Sequence, residues 1–519
     1  MRPLRSLTVA TALLLLAQWP LAAGAAPSLP SSNVAWLPAA ADADVDRAFA
    51  QAKTEAKPVL LYWGASWCPP CNQLKATLFN RQDFATQSKS FVAVHIDGDR
   101  PAAQKLGARF KVGGYPTLIL FTPGGSEITR LPGEADAPQV MALLQAGLAG
   151  GRPIAAVLAD ARAGKPVTAN EWRMLSFHSW EIDESGLVEV LDRPAVLAEL
   201  AVKSQAQGDS ETTTRLWLKA LAASDDGKGV KPDAALRQRV QTVLTHPTLV
   251  RTHMDVLING ATDIVKALSS DDGTDRPPLV AQFDAAMARL QADPTLSRGD
   301  RVSALAERVE LARLGQPKEV TSPTLPAALV QEVREVSARM DREITDGYER
   351  MAVITGVAHM QGQAGLWADS DALLKANLGK THSPYYLMSQ LGGNARKLGK
   401  KDEALRWYRQ AYDKSEGPAT RLQWGASYIG ALVELAPADA ARIEKATIRV
   451  FADAAKDPGA FHDRSARSLQ RVGKRLVSWN ADGKRAASIK RLQASLDGLC
   501  AQVGAAERTA CKGLLQAKT

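Results

Sequence analysis

Two of the four cysteines in this 519-residue chain stand three positions apart. Cys68 and Cys71 enclose Pro69 and Pro70 in "WCPPC", directly after the apolar run "PVLLYWGA" at 58–65. Thiols at this spacing can pass between dithiol and disulfide, because one helical turn brings the second sulfur beside the first. If Cys68 opens a helix, the unpaired N–H groups and the macrodipole there favour its thiolate and lower its pKa. Pro69 suits the first helical turn, where no donor is needed, and Pro70 stiffens the same turn. Cys71 then sits one turn further in, placed to resolve a mixed disulfide. A structural disulfide or half of a zinc site is the competing reading, but no second ligand pair lies in this part of the chain.

The elements that must position this pair alternate in type. Residues 42–56 carry helical periodicity through Val45, Ala48, Ala52 and Ala56. The run 58–65 reads as a strand buried on both faces, and Cys68 to Phe79 as a helix with Leu74 and Leu78 on one side. Strands follow at 91–97 and 117–121, with an edge strand at 127–131 after a "PGG" turn. Helices are predicted at 101–110 and 137–149. Such alternation predicts an α/β sheet with helices on its faces.

Together, "WCPPC" (67–71) and "GGYPT" (113–117), the latter just before a strand, resemble the thioredoxin superfamily. The resemblance covers 33–150, and "KPVLLYWGASWCPPC" is especially similar to the periplasmic thioredoxin-like group related to the C-terminal domain of the Dsb electron-transfer hub. The same tetrad occurs in tryparedoxin-like and nucleoredoxin-like proteins. The resemblance implies a thiol–disulfide oxidoreductase without cofactor or metal, with Cys68 and Cys71 catalytic. It implies that Pro116 is cis and faces the pair, and that Trp67, Tyr115 and Pro116 contact substrate. Its partners would be protein clients with disulfides and an unidentified thiol electron donor.

The match departs from cytosolic thioredoxin at one pair. A buried carboxylate six positions before the first cysteine, and its lysine on the neighbouring strand, are replaced by Tyr62 and Ala93. Deprotonation of Cys71 then falls to water, Tyr62 or a substrate group. Asp97 matches the position that usually accepts the Trp67 indole N–H. His95 faces the same side of the sheet as Ala93, as a packed core histidine or as a group tuning the buried cysteine.

After "GLAGGRP" the pattern changes, and 151–519 reads as all-α. "YYLMSQLGGNARKLGKKDEALRWYRQAY" carries Leu391, Gly392, Gly399, Ala404, Tyr408 and Ala411 at tetratricopeptide (TPR) spacing. A weaker echo uses Leu200, Ala201, Gly208, Trp217 and Ala220. Genuine repeats and an irregular set of helical hairpins both fit, and a curved array with a concave binding surface is expected in either case. Cys500 and Cys511, in "LCAQVGAAERTAC", read as a disulfide clasping a C-terminal hairpin, with a second redox pair as the alternative.

The first 25 residues set the expected compartment. Arg2 and Arg5 precede the apolar run from Leu7 to Ala17, and Ala23 and Ala25 give a small-x-small cleavage pattern. This predicts a signal peptide at 1–25, with a retained anchor as the alternative, and a periplasmic or secreted product without stable membrane insertion after cleavage. That compartment permits disulfides. The formal charge of +9 is modest for this length, and without a dense Lys/Arg run it argues against a nucleic-acid surface. The seven histidines, His95, His178, His246, His253, His359, His382 and His462, lie at no metal-ligand spacing. Three function classes fit: a reducing or isomerising oxidoreductase, a helical-repeat binding or assembly protein using the first domain for docking, and a disulfide donor. The absence of a cation between the cysteines argues against the last.

Overall fold

The computed structural model describes residues 33–180, 186–207, 210–224, 229–270, 273–317 and 319–516. The predicted leader at 1–25, and Gly208 of the weaker repeat echo, lie outside the described residues.

Five strands form one sheet: β1 (Leu37–Ala39), β2 (Val59–Gly64), β3 (Val92–Asp97), β4 (Thr117–Phe121) and β5 (Glu127–Leu131). Their order is β1-β3-β2-β4-β5, with β1, β3 and β2 parallel and β4 and β5 antiparallel. All six residues of β2 are buried, the result of helices on both faces. This explains its unbroken apolar run, since alternation appears only where one face meets water. The helices are α1 (Asp42–Glu55), α2 (Pro69–Leu74), α3 (Gln82–Gln87), α4 (Gln104–Phe110) and α5 (Ala137–Leu148). One π-helical turn, Lys75–Phe79, extends α2. Helix α5 is closed by a capping box, in which Asp136 accepts from the Gln139 N–H at 3.0 Å and Gln139 bonds back to the Asp136 N–H. The three-residue β1 and the six-residue α3 are too short to raise a periodic signal.

One face of the sheet packs Leu61, Trp63, Val94, Ile96 and Ile119 against Val45, Ala48 and Ala52 of α1 and Leu106 and Phe110 of α4. The other face, with Leu60, Tyr62, Leu118 and Leu120, opens a core that does not stop at residue 150. It continues through Leu144, Trp172 and Leu175 to Tyr385, Trp424, Leu469 and Leu492. The strand β5 is the sheet edge by hydrogen bonding, yet four of its five residues are buried, with α5 and the helix Ile154–Arg162 packed beside it.

From Ile154 to Lys512 the described residues are helical with short connections. Helices Pro384–Lys397 and Lys401–Lys414 form a hairpin around Gly399, whose φ of 71° is the left-handed turn that glycine adopts without steric cost. A Cβ at Gly392 would meet the Tyr408 ring at 3.1 Å, so the glycine is what lets that aromatic lie against the opposite helix. No described helix is long and apolar enough to cross a membrane.

Candidate active site

The end of β2 delivers the chain into the turn that carries the cysteines. Cys68 is the N-cap of α2, with Pro69 and Pro70 at its first two positions, and its sulfur accepts the Cys71 N–H at 3.2 Å. Asn72 staples the turn by donating to the carbonyls of Ser66 (2.8 Å) and Cys68 (2.9 Å). Cys68 and Cys71 are joined as a disulfide, with Cα atoms 5.2 Å apart. The Tyr115–Pro116 peptide bond is cis. Tyr115 lies edge-on to Trp67 at 6.2 Å and stacks on Trp63 at 6.4 Å. Gly98 makes room for this, because a Cβ there would collide with the Tyr115 hydroxyl.

The Trp67 indole N–H goes to Asp99 at 2.6 Å, not to Asp97 as the sequence reading expected. The register explains the correction. Asp97 ends β3 opposite Gly64, and the chain then turns so that Asp99 reaches the tryptophan while Asp97 Oδ1 accepts the Asp99 N–H. Asp97 is left in a half-buried position beneath the cysteine helix. Burial, then the neighbouring Asp99 charge, pushes its pKa up to about 6.

Three more titratable groups share that underside. Tyr62 stacks on His95 at 5.1 Å, its register partner on β3, and is fully buried. Its hydroxyl has no hydrogen-bond partner among the described residues. Burial, and then the Lys75 charge, lowers the His95 pKa to about 3, so this histidine is neutral. Lys75 follows Cys71 by one turn and is only 2% exposed. Burial depresses its pKa, the Asp97 charge opposes that depression, and the Tyr348 ring lies 4.9 Å from its ammonium. Ala93 lies in the same core, on the sheet face that carries Tyr62. The position of the missing acid is thus filled by an aromatic stack, and the charges beneath the cysteines are Lys75 and Asp97.

Above the pair, the helical region forms a roof. Tyr386 stacks on Trp67 at 5.9 Å and 20°. Arg464 places its guanidinium 4.8 Å from the Trp67 ring centre and 5.3 Å from that of Tyr115. His382 Nε2 donates to the Ser66 carbonyl at 2.8 Å, and Gln73 donates to Ser297 at 2.5 Å. Asp99 accepts the Thr420 N–H at 3.0 Å and its hydroxyl at 2.7 Å, so it caps the helix Pro418–Leu435 from another part of the chain. Under this cover Cys68 is 1% exposed and Cys71 is fully buried.

Cys500 and Cys511 are also joined, linking the helices Ala486–Gln502 and Ala505–Lys512 with Cα atoms 5.6 Å apart. They pack with Leu492, Leu496, Leu499 and Leu515. Among the described residues no group of three His, Cys, Asp or Glu side chains could hold a metal ion.

Sequence reasoning singled out Trp67, Cys68, Cys71, Tyr115 and Pro116; the structure joins Cys68 to Cys71, sets Tyr115 edge-on to Trp67 and makes the Tyr115–Pro116 bond cis. It missed Asn72, Lys75, Asp99 and the whole roof. The "DGD" at 97–99 offered two carboxylates for Trp67, and only the turn after β3 chooses between them. For Tyr386, His382 and Arg464 no local signal exists, because their partners lie about 300 residues or more away in sequence.

Comparison with known proteins agrees with this geometry. Residues 45–148 match the family model described as a thioredoxin-like domain. The chain is 35% identical over 127 residues to the thiol:disulfide interchange protein DsbD 2 of Pseudomonas aeruginosa, covering 24% of this chain and 22% of that protein. It is 36% identical over 99 residues to DsbD of Cronobacter sakazakii, covering 18% of this chain and 17% of that one. The chain thus spans about a fifth of the length of these relatives. A solved thioredoxin from Thermus thermophilus is similar at 25% identity with a TM-score of 0.20, over 22% of this chain and 85% of that one. The segment that holds Cys68, Cys71 and the cis Pro116 is a thioredoxin-like domain, set against a largely helical region.

Proposed function

We propose that the protein is an exported thiol–disulfide oxidoreductase that reduces or isomerises disulfides of client proteins through the Cys68–Cys71 pair. The observation that carries this reading is the joined pair at the start of α2, with the Cys71 N–H on the Cys68 sulfur and cis Pro116 in the same domain. The N–H that meets this sulfur in the disulfide would meet a thiolate in the reduced form, and the start of the helix adds to that stabilisation.

In the reduced protein the Cys68 thiolate attacks one sulfur of a client disulfide. A Cys68–client S–S bond forms, the client S–S bond breaks, and the released client thiolate takes a proton from water. Cys71 then loses its proton and attacks the Cys68 sulfur. The second client sulfur leaves as a thiol, the Cys68–Cys71 bond forms, and two electrons have passed to the client. A separate thiol donor restores the dithiol. Trp67, Tyr115 and Pro116 position the client chain. The Cys500–Cys511 bond is a structural clasp.

In this reading 1–25 is a signal peptide and 33–150 is the redox domain. Residues 151–519 form a TPR-like array that selects clients, without a role for nucleic acid or stable membrane insertion. Export is supported by the leader pattern and by the similarity to DsbD proteins. Dithiol-driven reduction of a small disulfide by the full chain tests the reading. Wild type should turn over and Cys68→Ser should not, and activity in that variant would remove Cys68 from the mechanism.

A second reading is favoured by one observation, the near-complete burial of Cys68. There the thioredoxin-like domain docks a helical binding or assembly protein and exchanges no disulfides. Cys71→Ser separates the two, because an active Cys68 would accumulate mixed disulfides with clients that a reducing agent dissolves.

A further inference from the structure

We infer that Lys75 is a positioning residue for the second exchange, its buried ammonium supplying the positive charge against which Cys71 ionises before it attacks the Cys68 sulfur. This rests on the oxidoreductase reading and names the group that serves its resolving step.

Lys75 stands four residues after Cys71, is itself helical in φ and ψ, and donates its N–H to the Cys71 carbonyl. Helical residues at this spacing share a face, with Cβ atoms about 5–6 Å apart, and long side chains lean back over the preceding turn. The Lys75 side chain therefore runs toward Cys71, and both residues are buried. The Tyr348 ring, 4.9 Å from the ammonium on the helix Gly347–Gln363, covers it from the helical region, and His382 lies edge-on to that ring at 5.8 Å.

Two observations separate this lysine from a packing residue. The first is that the one charge supporting its ammonium is that of Asp97, which acts on it without a hydrogen bond. Burying a charge so weakly paired costs free energy that a methionine in the same space would not. The second is that the other titratable groups on the sheet side supply no cation. Burial, then the Asp97 charge, push the Tyr62 hydroxyl up, so it keeps its proton. His95 is held neutral, and Asp97 is an anion at neutral pH. In the disulfide form the ammonium thus waits without a close anion, and reduction provides one in the Cys71 thiolate. The Cys71 proton passes to water, and the thiolate attacks the Cys68 sulfur of the mixed disulfide. The Cys68–Cys71 bond forms as the Cys68–client bond breaks, and the client sulfur leaves and takes a proton from water.

The test reads Cys71 directly. Cys68→Ser leaves Cys71 as the only free thiol while Cys500 and Cys511 stay joined. In that full-length background the Cys71 midpoint is followed by the pH dependence of its 13Cβ chemical shift. Lys75→Met should raise the midpoint by about one unit, leaving about tenfold less thiolate at pH 7, and Lys75→Arg should restore it. In the oxidised wild-type background Lys75→Met should be no less stable in urea, and Lys75→Gln serves as the neutral variant if the methionine one does not fold. A neutral variant whose Cys71 midpoint matches its parent, with hydroxyethyl disulfide still turned over by the wild type, would overturn the role of Lys75 and keep the redox chemistry. Lost stability with an unshifted midpoint would do the same and make Lys75 a packing residue. Wild type that does not turn over hydroxyethyl disulfide would instead defeat the oxidoreductase reading, and the resolving step with it, whatever the Cys71 midpoint.

Discussion

The molecule holds two disulfides in one continuous core, and they sit in opposite chemical settings. Cys500 and Cys511 are eleven residues apart, link two helices, and are packed by leucines. Cys68 and Cys71 are three apart, begin a helix, and lie between a buried set of titratable groups and a roof of aromatic and cationic side chains. Both pairs are buried, so exposure does not distinguish them. What differs is whether the surroundings can stabilise a thiolate. Around Cys68 a backbone N–H and a helix start do so, whereas leucines around Cys500 disfavour the charged form. A disulfide's role is therefore read from its neighbours.

The sharpest way to break this comparison is to remove one sulfur from each pair. Cys71→Ser should lose catalytic turnover and accumulate reducible adducts on non-reducing gels, while Cys511→Ser should show neither change. Adducts that depend on Cys500 would reverse the two assignments. Removing the whole C-terminal pair with Cys500→Ser and Cys511→Ser should cost about 2–3 kcal/mol in urea denaturation, the scale for so short a loop, and leave small-disulfide turnover intact. Unchanged stability with lost turnover would make that pair an electron relay.

A smaller effect concerns the groups beneath Cys71. Asp97 titrates near 6 in the fold and near 3.8 when unfolded, so the folded state holds its proton more tightly. Its favourable contribution is complete below pH 4 and is lost as pH rises through 6. His95 runs the other way: its folded pKa of about 3 means stability is lost as pH falls from 6.5 toward 3. The two slopes oppose each other between pH 4 and 6, so the wild-type profile alone will not separate them. Asp97→Asn should gain on wild type by about 2 kcal/mol between pH 4 and pH 7. A gap that stays constant over that range would show Asp97 ionised throughout, held by Lys75.

The smallest effect should come from the roof. Thr420→Val removes the hydroxyl that donates to Asp99 and accepts from Arg464 and leaves the N–H, costing about 1.5 kcal/mol. In the reduced protein it should also speed alkylation of Cys68 by iodoacetamide. An unchanged alkylation rate would mean that this contact does not hold the roof closed.

The thioredoxin-like part was legible in unusual detail. The run at 58–65, the proline pair and "GGYPT" each depend on local chemistry: burial on both faces, a helix start, and a turn that proline permits. Strand and helix positions in 42–149 follow those signals to within a few residues. Misses occurred where a choice depended on register or length. Asp99 displaced Asp97 because one turn after β3 reverses which carboxylate reaches Trp67. Leu37–Ala39 escaped notice because three residues carry no period. The hairpin at 384–414 was readable from Gly392 and Gly399, whereas its contact with the redox turn was not.

The sequence by itself determined which atoms can do chemistry here. Cysteine spacing, the helix start and the proline before β4 are properties of neighbouring residues, and short-range sterics and dipoles decide them. Tertiary structure alone decided what surrounds those atoms. The buried Lys75, the neutral His95 and the cover of Tyr386, His382 and Arg464 arise from segments that meet only when the helical region folds back over the cysteine turn. Burial and charge act through space, so the reactivity of Cys68 depends on residues whose distance along the chain hides them from any local reading.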